Sequence, residues 1–119
     1  MPKESSSGVK IFYPRFDRSR LVELLRERVT DLEALLPLKQ VVLFGSWVKE
    51  RATAFSDIDL LVVYEGAPRE NAYKLVWHCL NLRGLELHIY CEQEAKEQKA
   101  TLERMAQGGV NLRGNSYAP

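Results

Sequence analysis

The chain has 119 residues, of which 45% are hydrophobic, so it can build one core and has no room for a separate substrate-binding domain. Its 17 basic and 16 acidic side chains give a formal net charge of +1, which argues against nucleic acid or an anionic membrane as the default partner. No apolar run approaches the roughly 20 residues that span a bilayer, and the two cysteines show neither C-x-x-C spacing nor a disulfide framework. We therefore expect a soluble, cytoplasmic protein.

The sequence predicts a single domain over residues 10–109. Residues 1–9 are predicted to form a flexible N-terminus and residues 110–119 a C-terminal tail, because both are polar or rich in small residues. Apolar residues recur at helical spacing between Asp17 and Leu36, and Pro37 stops the pattern. This segment is the first predicted helix.

The remaining predicted elements alternate between strands and helices. They are a strand at 40–44, a short helix from Trp47 to about Thr53, a strand at 58–64, a helix from Pro68 to about Leu82, a strand at 85–90 and a charged helix at 92–106. The order predicts a small mixed α/β (α+β) domain with a sheet of three or four strands flanked by helices. The short first connection favours antiparallel pairing of strands one and two, and the longer helical crossover permits a parallel third strand.

Two polar pairs lie where the first strand ends and the second begins. Gly45 and Ser46 follow the first apolar strand, and Asp57 and Asp59 open the next one. Glycine lets the backbone turn sharply, and amides at a helix N-terminus bind phosphate oxygens. Carboxylates two residues apart on a strand share a face and can hold one divalent cation, with oxygen ligands favouring magnesium or manganese. An isolated Asp-x-Asp would more often cap a turn and face solvent.

Other side chains are weaker candidates for the same site. The predicted topology brings Glu86, early in the third strand, to the same sheet edge as a third carboxylate, although it could be a plain surface acid. Lys49 could direct its charge at the phosphates or be solvated on a helix face. His88 shares the strand face of Glu86 and could be a base or a ligand, but no cysteine or second histidine is expected beside it, so we favour a hydrogen-bonded structural role. His78, on an apolar helix, is expected to be packed.

The segment GSWVKERATAFSDIDLLVVY resembles the signature of the minimal nucleotidyltransferases of the DNA polymerase β superfamily, in which Gly-Ser is followed after about ten residues by Asp-x-Asp. The resemblance covers roughly residues 38–92. It implies transfer of a nucleoside monophosphate from a nucleoside triphosphate, expected to be ATP, to an acceptor hydroxyl, with magnesium as the cofactor or manganese in its place.

The roles that the resemblance implies fall into two sets. Asp57, Asp59 and Glu86 would be the catalytic and metal-binding carboxylates, and Gly45 and Ser46 would bind the nucleotide, with Lys49 as an additional nucleotide-binding candidate from its position alone. The sequence also departs from the pattern. The third acid is glutamate where aspartate is usual, Glu50 stands where small residues are common, and Phe55 replaces a polar residue. Each departure could weaken or retune catalysis, since such sites are sensitive to placement.

Small members of this family resemble the antitoxin of two-gene systems whose partner is an all-helical HEPN toxin, and some attach adenylate to a tyrosine of that partner. The resemblance therefore implies a HEPN-type protein partner as acceptor, or a homo-oligomer that completes the site. Two alternatives stay open at this point. The first is a catalytically weak or inactive nucleotide-binding module that neutralises its partner by contact, and the second is a transferase acting on a small-molecule hydroxyl.

Overall fold

The computed structural model describes residues 18–45 and 57–113. Within these ranges the elements are α1 (Arg18–Glu33), β1 (Leu38–Phe44), β2 (Ile58–Tyr64), α2 (Ala72–Leu80), β3 (Leu85–Cys91), α3 (Glu92–Glu97), α4 (Lys99–Ala106) and β4 (Val110–Asn111). The predicted N-terminus at 1–9 and the predicted short helix from Trp47 lie outside the described residues.

The four strands form one mixed sheet in the order β3-β2-β1-β4. β2 pairs antiparallel with β1 and parallel with β3, and β4 pairs antiparallel with the other side of β1. The predicted mixed α/β domain, with an antiparallel first pair and a parallel third strand, is therefore confirmed. The end of β1 lies beside the starts of β2 and β3, so residues at these three points are neighbours across the sheet.

One face of the sheet is covered by α1 and α2. The buried stripe of α1 recurs every three or four residues, as helical geometry requires, and consists of Leu21, Leu25, Val29 and Leu32. It joins buried strand residues such as Leu43 and Leu60 in the larger hydrophobic cluster. The guanidinium of Arg28 donates to the carbonyl oxygens of Leu80 and Asn81 and so fastens α1 to the end of α2. This layer supplies most of the buried core.

The opposite face carries a smaller hydrophobic cluster under α4. Val42, Leu61, Val63 and Leu102 are its buried members. α3 and α4 are two helices where the sequence predicts one at 92–106, because the backbone of Gln98 leaves helical geometry, with φ −115° and ψ 34°. Since α3 has no buried residue and α4 has only Leu102, this layer covers less of the sheet than α1 and α2 do.

A short strand lies inside the segment 110–119, which the sequence predicts to be a tail. Val110 and Asn111 pair with β1, and Leu112, which follows them, is 1% exposed. Arg113 forms an ion pair of 2.8 Å with Glu33 of α1. The predicted boundary therefore differs from the structure, because long-range contacts order a stretch too short to show a strand pattern. Residues 114–119 lie outside the described part of the chain.

α2 is shorter than predicted and presents a different face. It begins at Ala72, four residues after Pro68, and ends at Leu80, where Asn81 adopts a left-handed conformation with φ 44°. Val76 and Leu80 face the core, whereas His78 is exposed. The expectation that His78 would be packed is therefore wrong.

Both cysteines are free thiols, Cys91 buried and Cys79 half-buried. The Cys91 sulfur accepts a hydrogen bond from the Glu94 amide while Glu94 accepts one from the Cys91 amide, which caps α3. No helix in the described ranges has the length and apolar character needed to cross a membrane.

Candidate active site

Three strands bring polar side chains to one end of the sheet. The register places Phe44, the last residue of β1, opposite Asp59, and it places Asp59 beside Glu86 of β3. Side chains alternate along a strand, so Asp59 projects from the same face as the buried Leu61 and Val63, under α4. The acidic side chains therefore lie on the α4 face of the sheet, at the end where β1 stops and β2 and β3 begin.

Asp59, Glu86 and His88 form a compact group there. Each offers one ligand atom, and all three atoms lie within 4.8 Å of one another. His88 Nε2 is 4.0 Å from Asp59 Oδ1. Asp57 lies at the start of β2 and is exposed, and it is not a member of this group. The predicted pair of Asp59 and Glu86 is thus brought together, with His88 as third member where Asp57 was expected.

The pKa of Asp59 reflects its burial and the negative charges beside it. Burial raises the pKa of Asp59 from 3.8 to about 6, assisted by a hydrogen bond with Glu86 and by the negative charges of Glu86 and Asp57. The carboxylates therefore repel one another in the absence of a positive partner, and Asp57 contributes to the repulsion although it stands apart. A divalent cation would reverse the balance, because it favours the ionised form of every carboxylate around it. The donor set fits such an ion.

Gly45 connects the turn motif with the acidic motif. Its φ is +83°, a conformation that side-chain-bearing residues rarely adopt. A Cβ at this position would overlap Oδ2 of Asp59 and lie 3.1 Å from its Cγ. Glycine is therefore required twice, once for the backbone turn and once because the carboxylate of Asp59 occupies the space that a side chain would fill.

The imidazole of His88 is held in the group by an aromatic neighbour. Its ring centroid lies 5.3 Å from that of Phe44, with the two rings tilted by 56°. Sequence reasoning favoured a hydrogen-bonded structural role for this histidine, but the structure brings it to the carboxylates. The sequence already placed Glu86 and His88 on one face of a strand by their Glu-x-His spacing, and the structure adds that Asp59 of the neighbouring strand lies beside them.

The other predicted site residues belong to the segment between Gly45 and Asp57. Ser46 and Lys49 lie outside the described residues, as do the departures from the family pattern at Glu50 and Phe55. Their predicted contacts with a nucleotide stay predictions. Gly45, immediately before this segment, shows that the chain leaves β1 directly beside the acidic group.

The chain is similar to known proteins in sequence and in fold. Residues 22–107 match the family model of the nucleotidyltransferase domain. The fold is similar to that of a putative nucleotidyltransferase from Sulfolobus solfataricus, solved at 1.40 Å, with a TM-score of 0.57 and 22% identity over 86% of this chain and 87% of that one. At this identity the likeness speaks for the fold alone. No protein of curated function matches the chain. Because the family model spans most of its length, the chain belongs to the nucleotidyltransferase domain family, in agreement with the resemblance of its motif to the minimal nucleotidyltransferases.

Proposed function

We propose that the protein is a minimal nucleotidyltransferase that transfers AMP from ATP to a hydroxyl group of a partner protein. The observation that carries this proposal is the group of Asp59, Glu86 and His88 at the sheet edge where Gly45 ends β1. In a chain of the nucleotidyltransferase family, that edge is where a triphosphate and its divalent cation would meet the acceptor.

The proposed reaction assigns a task to each described residue. The acceptor oxygen forms a bond to the α-phosphorus, the bond between that phosphorus and the α–β bridging oxygen breaks, and pyrophosphate leaves. Asp59 and Glu86, with Asp57 beside them, would hold the divalent ion, which when bound neutralises phosphate charge. Glu86, which is exposed, would take the hydroxyl proton. Gly45 would leave the space that the carboxylate of Asp59 needs to hold the ion.

A macromolecular acceptor is favoured by the exposure of two of the acidic side chains. Asp57 and Glu86 are both exposed among the described residues. The hydroxyl side chain of another protein could therefore approach both carboxylates. We therefore propose a cytoplasmic antitoxin whose partner is a HEPN-type helical toxin, modified on a hydroxyl side chain.

The decisive experiment is transfer of label from ATP labelled at the α-phosphate, in magnesium, to the product of the neighbouring gene. Wild-type protein should label that partner, and Asp57→Asn and Asp59→Asn should each lower the rate by at least about a hundredfold, because an electrostatic contact made at the reacting phosphate is removed. Asp31→Asn is the matched control, since Asp31 is an exposed acid on α1. Equal labelling by wild type and both site variants would refute the proposal.

The second candidate function is nucleotide binding without transfer. The observation that favours it is that Asp57 is not a member of the three-residue group. In that case ATP and a divalent ion would bind and depend on Asp59, yet no acceptor, protein or small hydroxylated compound, would become labelled. Label on small hydroxylated compounds without a protein partner would instead identify a small-molecule transferase.

A further inference from the structure

We propose that His88 is a nitrogen ligand of the metal ion and that it shifts the preference of the site from Mg²⁺ to a first-row transition ion such as Mn²⁺. This inference rests on the proposed function, because it concerns the ion held at the same sheet edge. It differs from what the sequence motif implies, since the motif supplies oxygen ligands only. The observation behind it is the placement of one imidazole among the carboxylates.

The distances suit a shared ion. Ligand atoms that bind one octahedral ion at about 2.1 Å are about 3 Å apart when adjacent and about 4 Å apart when opposite. His88 Nε2 and Asp59 Oδ1 are 4.0 Å apart, and the three ligand atoms, including that of Glu86, lie within 4.8 Å. Closing the group around an ion therefore requires side-chain movements below about 1 Å. The separation is too long for a hydrogen bond between His88 and Asp59.

The backbone and one aromatic contact fix the position of the imidazole. His88 lies opposite Leu61 in the parallel ladder, and its ring packs against Phe44. Its side chain is 33% exposed, so one side remains accessible to an ion from solvent. Within residues 18–45 and 57–113 no neighbour forms a hydrogen bond with its ring, so no described residue competes with an ion for Nε2.

Ligand chemistry then determines the choice of ion. Mg²⁺ prefers oxygen and keeps its water ligands, whereas an imidazole nitrogen stabilises first-row transition ions more strongly. Replacing one oxygen by Nε2 of His88 therefore lowers the relative affinity for Mg²⁺. The sequence contains two histidines, and the other one, His78, is exposed on α2 on the opposite side of the sheet. It serves as a matched control.

The first test is pulsed electron paramagnetic resonance of Mn²⁺ added to the full-length protein, with and without a non-hydrolysable ATP analogue. Wild type and His78→Gln should both show the modulation of a directly bound imidazole nitrogen, and His88→Gln should lose it. Absence of the nitrogen signal from wild type under both conditions, or its persistence in His88→Gln, would overturn the inference.

The second test measures the affinities of Mn²⁺ and Mg²⁺ by titration calorimetry. His88→Gln should lower the ratio of Mn²⁺ to Mg²⁺ affinity by at least about tenfold, because loss of even an outer-shell partner of a metal ligand typically lowers metal affinity by about 10- to 100-fold. His88→Asp, which replaces the imidazole by a charged oxygen ligand, should bind Mg²⁺ at least as tightly as wild type. Binding by this variant would show that the effect of His88→Gln comes from a lost ligand and not from loss of folding. An unchanged ratio in both variants contradicts the inference. Transfer of label without nitrogen coordination would refute only this inference, and nitrogen coordination without transfer would refute only the proposed function.

Discussion

Asp59 carries an electrostatic penalty that can be measured without any substrate. Its pKa of about 6 in the folded protein lies above the ordinary value of 3.8, so the folded state holds its proton more tightly than the unfolded state does. Its contribution to stability is therefore fully present below about pH 4 and is lost as the pH rises through about 6. Metal-free protein should become less stable across this window.

Replacing Asp59 by Asn should remove that loss. In the absence of divalent ions, Asp59→Asn should melt at a higher temperature than wild type at pH 7.5, and the difference should shrink towards zero near pH 4, where wild-type Asp59 is protonated. Thermal melts in a chelator between pH 4 and pH 8 check this, with Asp31→Asn as the control for a general change of charge. Parallel pH profiles of wild type and Asp59→Asn would contradict the interpretation.

Substitutions of Gly45 and Gly66 can separate the cost of backbone strain from the cost of crowding at the site. Gly45 and Gly66 have similar positive φ values, +83° and +90°, but a Cβ at Gly66 meets nothing within 4 Å, whereas one at Gly45 overlaps Asp59. Gly66→Ala should lower the free energy of unfolding by about 1 kcal/mol, the cost of strain alone. Gly45→Ala should cost at least about 1 kcal/mol more and should also weaken binding of divalent ions, because the Asp59 carboxylate must move.

Urea unfolding and calorimetric titration of Mn²⁺ measure the two effects. Equal losses of stability in the two glycine variants, with unchanged ion affinity, would show that Asp59 does not depend on the space beside Gly45.

At the scale of these residues, the sequence predicted a turn at Gly45 and a carboxylate at Asp59. It could not predict their contact, because that contact follows from the register of β1 and β2.

At the scale of elements, β1 and β2 could be predicted because each contains a run of apolar residues bounded by polar ones, and β3 because its first residues alternate between apolar and polar. β4 could not be predicted, since two residues show no periodicity and their strand conformation depends on contacts with residues that are distant in the sequence. Arg26 of α1 donates to the Asn111 carbonyl at 3.0 Å, and the Leu112 amide donates to the Val41 carbonyl at 2.8 Å. His88 escaped prediction for a related reason. Its neighbours Asp59 and Phe44 belong to other strands, so the strand face could be predicted but not the side-chain contacts.

The contribution of β4 to stability can be tested at Leu112, which is 1% exposed. Leu112→Ala should lower the free energy of unfolding by about 2 to 4 kcal/mol, because it leaves a cavity between the sheet and α1. Leu35→Ala is the same substitution at a position that is 56% exposed, and it should cost less than about 0.5 kcal/mol. Similar denaturant midpoints for the two variants would mean that residues 110–113 behave as the tail that the sequence predicted.

At the scale of the whole molecule, the fold places its thicker helical layer on one face of the sheet and its charged site at one end of the other. The larger cluster under α1 and α2 stabilises the sheet, so the end of the α4 face can carry an unfavourable group of acids. The residues that stabilise the sheet therefore lie mainly on one face of its strands, and the candidate active site lies on the other face. A ligand that neutralises the acids should then stabilise the entire domain, because the sheet unfolds as one unit.

Binding of ATP together with a divalent ion should raise the melting temperature by several degrees. Ligand at a hundredfold excess over its dissociation constant stabilises a folded protein by about 2.7 kcal/mol. The shift should be larger at pH 7.5 than at pH 5, because the pKa of Asp59 is about 6 and the ion must displace its proton at the lower pH. Asp59→Asn should lose most of the shift, whereas Asp31→Asn should keep it. A shift of equal size at both pH values, or one that survives in Asp59→Asn, would mean that the nucleotide binds away from the acidic edge of the sheet.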